Sequence, residues 1–312
     1  MKETEKKECE LVEGKYIRRN IEFNAEGTIL RGWFYLPNTN ELRFPTIIMA
    51  HGFGSLKEMH LDRFAQTFAV NGFASILFDY SNFGDSDGQP RGEINPWRQI
   101  EEYKHAITFA TTLAEVDTEK IGVWGTSYSG GHVLVVGASD HRVKCVVSQV
   151  PTISGSESSL RRVPAEKVET LYEEFRQDRV NRMLGKQPIK RTLVSNNIED
   201  NPVYGTAEAL EWYLTSGEKS PNWTNEVTLR SIEYSRTYNP GTFISLVSPK
   251  PLLLLVGTDD NVTPTDLALN AYEAALEPKK LVLIQGGHFD PYIKKFDIAS
   301  KEAIEWFTKH LQ

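Results

Sequence analysis

Short apolar runs recur along the chain, and most are followed by a stretch whose apolar residues have helical spacing. Such runs are typical of strands that are buried on both faces of a parallel sheet. The predicted strands are Thr46–Ala50, Ala74–Phe78, Lys120–Trp124, Val143–Val147, Leu252–Val256 and Leu281–Ile284. The predicted helices are Asp62–Asn71, Pro96–Ala114, Tyr128–Ser139, Asp266–Leu276 and Ile293–Leu311. This alternation predicts an α/β fold with a mostly parallel, doubly wound sheet.

An antiparallel hairpin is predicted before the parallel strands. Tyr16–Phe23 and Thr28–Leu36 are rich in β-branched and aromatic residues, and Asn24–Gly27 between them has the composition of a turn. We therefore expect the sheet to begin with an antiparallel part.

The segment between the strand ending at Val147 and the strand starting at Leu252 is too long for a loop. Ala207–Leu214 has a helical pattern, and an earlier apolar stripe consists of Val168, Leu171, Tyr172, Phe175, Val180, Met183 and Leu184. We interpret the segment as an inserted helical cap. The predicted division is an N-terminal tail at 1–15, the core at 16–151 and 244–312, and the cap at 152–243.

Composition narrows the class of partner. The 312 residues include 35 basic and 42 acidic ones, and the formal net charge of -7 argues against nucleic acid or an anionic membrane as a partner. The first residues are charged, and no stretch approaches the roughly 18 apolar residues of a membrane span, so we expect a cytoplasmic protein. The two cysteines, Cys9 and Cys145, are too few for a disulfide framework or a cysteine-rich metal site. The oligomeric state stays open and includes a homodimer.

One serine lies in a short turn between a predicted strand and a predicted helix. The sequence Gly125-Thr-Ser127-Tyr-Ser129 fits the G-x-S-x-G pattern of a nucleophile elbow, except that serine replaces the last glycine. Small residues are needed in this turn because the helix passes close to the strand, and Ser129 is small. The pattern predicts that Ser127 is a nucleophile.

A nucleophilic serine needs a histidine to take its proton and an acid to orient that histidine. Two later predicted strands are followed by such residues: the first by Asp259 and Asp260, the next by a glycine pair and His288. Ligand sites of open α/β sheets lie at these carboxyl ends of strands. The sequence therefore predicts a triad of Ser127, Asp260 and His288, with Asp259 as the alternative acid on the same turn.

An acyl-transfer site also needs donors for the oxyanion of the tetrahedral intermediate. One position is the amide after the nucleophile, which belongs to Tyr128. The other lies in a loop after an earlier strand, where His51-Gly-Phe53-Gly54 follows the first apolar run. We predict the amides of Phe53 and Tyr128 as the two donors.

Other residues bear on the substrate. Trp212, Tyr213 and Trp223 are predicted to line an acyl or aromatic pocket, although aromatic residues of a cap can equally form its core. A group of cations is countered locally by Asp178 alone; it consists of Arg176, Arg179, Arg182, Lys186, Lys190 and Arg191. We interpret it as a solvated helix face, and the alternative is a landing site for a phosphate-bearing acyl carrier.

No metal site is predicted. The remaining histidines lack paired ligand spacing, and Asp85-Ser-Asp-Gly88 has the composition of a turn without the other ligand positions of a calcium loop. His132 lies one helical turn beyond Ser127, and no role in the site is assigned to it.

In chain order, these motifs resemble the α/β-hydrolase superfamily over about residues 16–311. The motifs are His51–Gly54, Asp79–Gly88, the serine elbow, Gly257–Asp260 with Pro264, and Gly286–His288. The chain is similar to dienelactone-hydrolase-like and acyl-peptidase-like esterases, including the polyketide transferase and thiohydrolase group. Dienelactone hydrolases proper have a cysteine nucleophile where this chain has Ser127, so the resemblance does not extend to lactone specificity.

The expected function is that of a serine hydrolase that cleaves a small-molecule carboxylic ester or thioester through an acyl-enzyme, without a metal or organic cofactor. An amidase or peptidase and an acyltransferase on the same triad are the enzymatic alternatives. A ligand-binding protein that has kept the hydrolase fold without catalysis is the alternative from another class.

Overall fold

The computed structural model describes residues 9–12 and 14–312. In chain order its strands are β1 (Cys9–Val12), β2 (Tyr16–Ala25), β3 (Thr28–Pro37), β4 (Phe44–Ala50), β5 (Ala74–Phe78), β6 (Val116–Thr126), β7 (Val143–Gln149), β8 (Lys190–Thr192), β9 (Glu226–Thr228), β10 (Leu252–Gly257) and β11 (Lys279–Ile284). Nine of these described strands form one sheet in the order β1-β2-β3-β5-β4-β6-β7-β10-β11, and β8 pairs with β9 separately.

The main sheet changes from antiparallel to parallel along its width. Strands β1, β2, β3 and β5 pair antiparallel in that order, and β2 and β3 form the predicted hairpin. From β5 through β4, β6, β7 and β10 to β11, every neighbouring pair is parallel. The carboxyl ends of the parallel strands therefore lie along one edge, and the predicted α/β fold is confirmed.

Helices cover the sheet and connect its strands. Within the described ranges they are α1 (Leu61–Val70), α2 (Pro96–Ala110), α3 (Tyr128–Ser139), α4 (Gly155–Arg162), α5 (Ala165–Met183), α6 (Ala207–Gly217), α7 (Leu229–Ser235), α8 (Thr265–Ala274) and α9 (Phe296–Leu311). Helix α1 illustrates the packing, because Leu61, Phe64 and Phe68 share a face that is buried. The Phe64 ring lies 4.7 Å from the rings of both Trp124 and Phe296, so α1 joins the sheet to α9.

The predicted N-terminal tail is partly wrong. Residues 1–8 and 13 lie outside the described residues, but β1 pairs with β2 between Cys9 and Val12 and forms an edge of the sheet. A four-residue edge strand carries too short a pattern for recognition from sequence. Cys145 lies in β7 and is buried, as expected for a small core residue.

The long segment between β7 and β10 contains α4 to α7 and the β8–β9 pair. Within it, the predicted apolar stripe of α5 is only half buried: Leu171 and Phe175 pack against Leu229, whereas Tyr172 and Met183 are exposed. The 19-residue α5 packs on the seven-residue α7, and at 1.5 Å per residue α7 cannot cover its full length.

Three of the basic residues of this segment are paired with acids outside their own sequence neighbourhood. Arg179 contacts Glu233 at 2.8 Å, Arg191 contacts Glu174 at 2.6 Å, and Lys190 contacts Glu226. The local excess of cations around Asp178 is therefore reduced in the fold, because α5, α7 and β9 supply further carboxylates. These pairs favour the solvated helix face over a carrier landing site.

No helix within the described ranges combines the length and the apolar character needed to cross a membrane.

Candidate active site

Ser127 occupies a sharp turn between β6 and α3. Its backbone has φ 57° and ψ -117°, which a residue with a side chain rarely adopts. The turn persists because both backbone groups of Ser127 are held: its N–H donates to the Gln149 carbonyl at 2.9 Å, and its carbonyl accepts from the Thr152 amide at 2.9 Å. Gly125 permits the close approach of helix and strand, since a Cβ there would lie 2.2 Å from the Ser129 carbonyl oxygen.

Ser129, which replaces the last glycine of the elbow pattern, has a bonding role of its own. Its hydroxyl is buried and donates to the His51 carbonyl at 2.7 Å. The Tyr80 hydroxyl also contacts Ser129 Oγ. Because serine replaces glycine at this position, its hydroxyl links α3 to the loop that follows β4.

Three predicted side chains meet at the carboxyl ends of β6, β10 and β11. His288 Nε2 lies 3.0 Å from Ser127 Oγ, and His288 Nδ1 lies 2.7 Å from Asp260 Oδ2. All three residues are buried, and Ser127 retains an exposed fraction of 8%. Because a carboxylate accepts the hydrogen of Nδ1, Nε2 is left free to accept a proton from the serine hydroxyl.

The backbone distinguishes Asp260 from Asp259. Asp260 Oδ1 accepts hydrogen bonds from the amides of Val262 and Thr263, both at 2.8 Å. Asp259 is exposed, and its carboxylate accepts from the hydroxyl of Thr258 at 2.7 Å. The structure brings Asp260, and not Asp259, to the histidine.

Thr263 is part of this arrangement and was not anticipated from the sequence. Its hydroxyl lies 2.8 Å from Asp260 Oδ2 and 2.9 Å from the carbonyl of Val150. Val150 follows β7 and has φ 37°, which is unusual for a β-branched residue. The only signal in the sequence was the three-residue spacing from Asp260, at which local side-chain hydrogen bonds are common.

The loop that follows β4 lies directly against the serine. A Cβ at Gly52 would be 3.0 Å from the Cβ of Ser127, so a side chain at this position would crowd the serine. The amides of Phe53 and Tyr128 donate to no other group of the described chain. Both predicted amides are thus free beside Ser127, and their role as oxyanion donors stays a prediction.

A buried lysine holds the same loop from the other side. Lys57 Nζ contacts Asp79 Oδ2 at 2.7 Å, Asp85 Oδ2 at 2.6 Å and Glu58 Oε1 at 2.5 Å. Burial lowers the pKa of Lys57, but the attraction of Asp79 and Glu58 outweighs it and raises that pKa above its usual value. The Lys57 amide also donates to Asp79 Oδ1 at 2.9 Å. We call these four side chains the Lys57 cluster.

The predicted pocket aromatics occupy a different place from the one expected. Tyr213 Oη donates to the Phe53 carbonyl at 2.6 Å, and Trp223 Nε1 donates to the Gly54 carbonyl at 2.9 Å. Trp212 stacks on Phe289, beside His288, with ring centres 4.8 Å apart. These three residues connect the cap to the loop after β4 and to the loop after β11, which lie on either side of Ser127.

A cavity of about 680 Å³ lies between the cap and the core. It reaches the candidate site at Phe53, Tyr128 and Thr263, and Trp212, Tyr213 and Trp223 are absent from its described lining. The predicted role of these three aromatics in binding substrate is therefore not supported by their placement. The described lining includes Arg191 of the predicted cationic group and further charged residues that the sequence did not single out: Arg162, Lys167 and Arg236, with Glu174 and Glu199.

His132 packs beside the site. Its Nδ1 lies 2.7 Å from Tyr238 Oη and its Nε2 lies 2.9 Å from Gln99 Oε1, which fits a neutral ring with its hydrogen on Nε2. Burial lowers the pKa of His132 to about 3. The Tyr128 ring covers this histidine at 4.9 Å, and the Tyr128 hydroxyl is buried without a hydrogen-bond partner in the described chain.

Comparison with known proteins identifies the family. A sequence model of the X-Pro dipeptidyl-peptidase (S15) family matches residues 26–290. The chain belongs to the S15 family.

Relatives of this S15-family chain are similar along most of their length. It is 30% identical to the quorum-quenching protein AidA of Acinetobacter baumannii, over 93% of this chain and 94% of that protein. It is 32% identical to the thiohydrolase aneE of Aspergillus aculeatus, over 84% of this chain and 83% of that protein. The α/β-hydrolase GrgF of Penicillium sp. sh18 superposes with a TM-score of 0.82 at 26% identity, over 94% of this chain and 99% of GrgF.

These similarities confirm the resemblance to α/β-hydrolases. They also identify the S15-family chain as an enzyme of the serine hydrolase type.

The Lys57 cluster generates a prediction about stability. Lys57→Met removes the ammonium and leaves Asp79 buried without its partner, so the free energy of unfolding should fall by about 3–5 kcal/mol. Urea unfolding at pH 7 measures this. Lys104→Met is the matched control, because Lys104 pairs with Glu101 on the surface of α2 and should cost less than about 1 kcal/mol. Equal losses in the two variants would contradict a structural role for the cluster.

His132 generates a prediction about pH. Its pKa is about 3 in the folded protein and about 6.5 in an unfolded chain, so the unfolded state binds more protons between these values. Stability should therefore decrease as pH falls below about 6.5, by up to about 1.4 kcal/mol per pH unit for this group. Urea unfolding at pH 7 and pH 5 should give a smaller loss for His132→Gln than for the unmodified protein.

The exposed His141 supplies the control for this measurement. His141→Gln should keep the pH dependence of the unmodified protein. If His132→Gln keeps it as well, burial of His132 does not contribute to acid sensitivity.

Proposed function

We propose that this protein hydrolyses a carboxylic ester or a thioester through an acyl-enzyme on Ser127. The observation that carries the proposal is the continuous relay from Ser127 Oγ to His288 Nε2 at 3.0 Å and from His288 Nδ1 to Asp260 at 2.7 Å. A serine hydroxyl is a weak nucleophile without such a base, and a buried relay at the carboxyl ends of three strands meets that need.

In the first half of the reaction, His288 Nε2 takes the hydroxyl proton as Ser127 Oγ attacks the carbonyl carbon. Asp260 keeps the imidazole in the required orientation and stabilises the imidazolium that forms. When the tetrahedral intermediate collapses, the bond to the leaving oxygen or sulfur breaks, and the proton on Nε2 passes to that leaving group. The acyl group stays on Ser127.

In the second half, water approaches the acyl-enzyme from the side of His288. His288 Nε2 takes a proton from water while the oxygen attacks the acyl carbon, and the same proton returns to Ser127 Oγ as the acid is released. The net reaction consumes one water and yields the acid and an alcohol or thiol. The amides of Phe53 and Tyr128 are the proposed donors to the oxyanion in both halves.

Cleavage of an amide is the second candidate, because the matching family is described as X-Pro dipeptidyl-peptidases. A dipeptidyl-peptidase binds a free α-ammonium group, which requires an available carboxylate. Of the two carboxylates in the described cavity lining, Glu174 is already bound to Arg191 at 2.6 Å, which leaves Glu199, and cations outnumber acids there. The name of the aneE relative, a thiohydrolase, further favours an ester or thioester substrate.

Removal of the nucleophile or the base tests the mechanism. Ser127→Ala and His288→Ala should each lower kcat on 4-nitrophenyl butyrate by roughly 10⁴-fold or more, and Ser127→Ala should abolish labelling by a neutral fluorophosphonate. Circular dichroism checks that the variants are folded. Unmodified protein that neither labels nor hydrolyses any ester, thioester or anilide would favour a ligand-binding role without catalysis.

The leaving group and the acceptor are distinguished by product analysis. A panel of 4-nitrophenyl esters of increasing chain length is compared with matched thioesters and anilides. Higher kcat/KM for anilides would favour an amidase, and acylated product in the presence of added alcohol would favour an acyltransferase.

The choice between the two adjacent acids has its own test. Asp260→Asn should lower kcat by about 10⁴-fold, because an amide stabilises the wrong tautomer of His288. Asp259→Asn is the matched control one residue away and should leave kcat nearly unchanged, since Asp259 is exposed. The opposite ranking would assign the role to Asp259.

A further inference from the structure

We propose that the substrate carries an anionic oxygen group, a carboxylate or a phosphate, away from its scissile bond, and that Arg236 binds this group with Arg162 in the cavity. The inference rests on the proposed function, because the cavity reaches the candidate active site at Phe53, Tyr128 and Thr263. It adds a substrate class and a specificity-determining residue to that function.

Arg236 directly follows α7 and is one of the residues that line the cavity. Its Nη1 is buried without a hydrogen-bond partner in the described chain, and no described carboxylate lies within salt-bridge distance of its guanidinium. The guanidinium faces the Tyr172 ring at 5.5 Å, and this contact satisfies none of its N–H donors. Arg236 is half-buried, and because buried N–H groups are normally hydrogen-bonded, its buried Nη1 lacks a partner that an anion in the cavity would supply.

The other arginines of the cap either have acidic partners or lie at the cavity. Guanidinium groups that do not line the cavity have acidic partners: Arg176 pairs with Glu173, Arg179 with Glu233, Arg182 with Asp178 and Arg230 with Glu93. Arg191 lines the cavity but is bound to Glu174. The unpaired guanidinium groups of the described cap are therefore concentrated at the cavity.

Arg162, the last residue of α4, is the second arginine of the cavity without an acidic partner in the described chain, and it is exposed. It lies over the Tyr204 ring at 4.9 Å and donates to the Val262 carbonyl at 3.1 Å. These contacts fix the side chain in place without neutralising its charge. Val262 lies two residues after Asp260, so Arg162 is held next to the candidate active site.

The charge and size of the cavity agree with this ligand class. Its described lining has four cations and two carboxylates, an excess of two positive charges, whereas the whole chain has a formal net charge of -7. The volume of about 680 Å³ is in the range of cavities that bind small organic ligands. Such a local excess attracts an anion more strongly than the rest of the surface does.

Matched pairs of substrates test the proposal. The mono-4-nitrophenyl ester of suberic acid places a carboxylate on the acyl group, and 4-nitrophenyl octanoate is its neutral counterpart. The octanoyl ester of 4-hydroxyphenyl phosphate places the anion on the leaving group, with phenyl octanoate as its counterpart. At least one anionic member should have the higher kcat/KM in the unmodified protein, and the identity of that member distinguishes the two sources of the anion.

Arg236→Gln should reduce this preference by about 10- to 100-fold, mainly through KM, because the lost interaction holds bound substrate without touching the reacting atoms. Arg236→Lys keeps a charge and should restore part of the preference. Arg176→Gln is the matched control: Arg176 is an exposed arginine of the cap, is paired with Glu173 and does not line the cavity. It should leave both members of each pair unchanged.

Labelling of Ser127 by a neutral fluorophosphonate separates this inference from the proposed function. Arg236→Gln should label at the rate of the unmodified protein, which also checks that it is folded. An equal loss on anionic and neutral substrates, or no preference for either anion in the unmodified protein, would overturn the inference while leaving the hydrolase mechanism intact. Absence of labelling and hydrolysis in the unmodified protein would instead overturn the proposed function.

Discussion

Surrounding residues hold the backbone of Ser127 at a positive φ, a conformation that a serine rarely adopts. Much of the candidate site depends on this constraint. A positive φ at a residue with a side chain costs roughly 1–3 kcal/mol. The hydrogen bonds to Gln149 and Thr152 fix the turn, and Gly125 and Gly52 leave room for α3 and for the loop after β4. As a consequence, Ser127 Oγ points toward His288, and the free amide of Tyr128 lies beside it at the start of α3.

The surrounding loops are positioned by buried polar groups. The Lys57 cluster and the Ser129 hydroxyl hold the loop after β4, and Thr263 holds the turn after β10 to Val150. Directional bonds of this kind suit a site in which atoms must stay within a few tenths of an ångström, because apolar packing alone does not fix orientation. The cluster of three carboxylates around Lys57 therefore has a structural explanation within this chain.

Sequence alone predicted the features that depend on local pattern. The buried parallel strands, the hairpin and the elbow each occupy a few consecutive residues, and the order of Ser127, Asp260 and His288 follows from motifs at strand ends. Features that depend on distant contacts were missed or misplaced. Neither the pairing of Arg179 with Glu233 nor the place of Trp212 against Phe289 leaves a periodic signal, because each joins residues more than 50 positions apart.

The cap contributes to the candidate site in two separate ways. Through Tyr213 and Trp223 it bonds to the carbonyls of Phe53 and Gly54, and through Glu208 it accepts a hydrogen bond from the Phe289 amide at 3.3 Å. These contacts bear on the loops beside Ser127 and His288, and hence on the geometry of the reacting groups. Arg162 and Arg236 line the cavity instead, although Arg162 also donates to the Val262 carbonyl in the turn that carries Asp260. Substitutions at the first set should therefore disturb the chemical step for every substrate, whereas Arg236 can vary to change substrate preference while the relay stays intact.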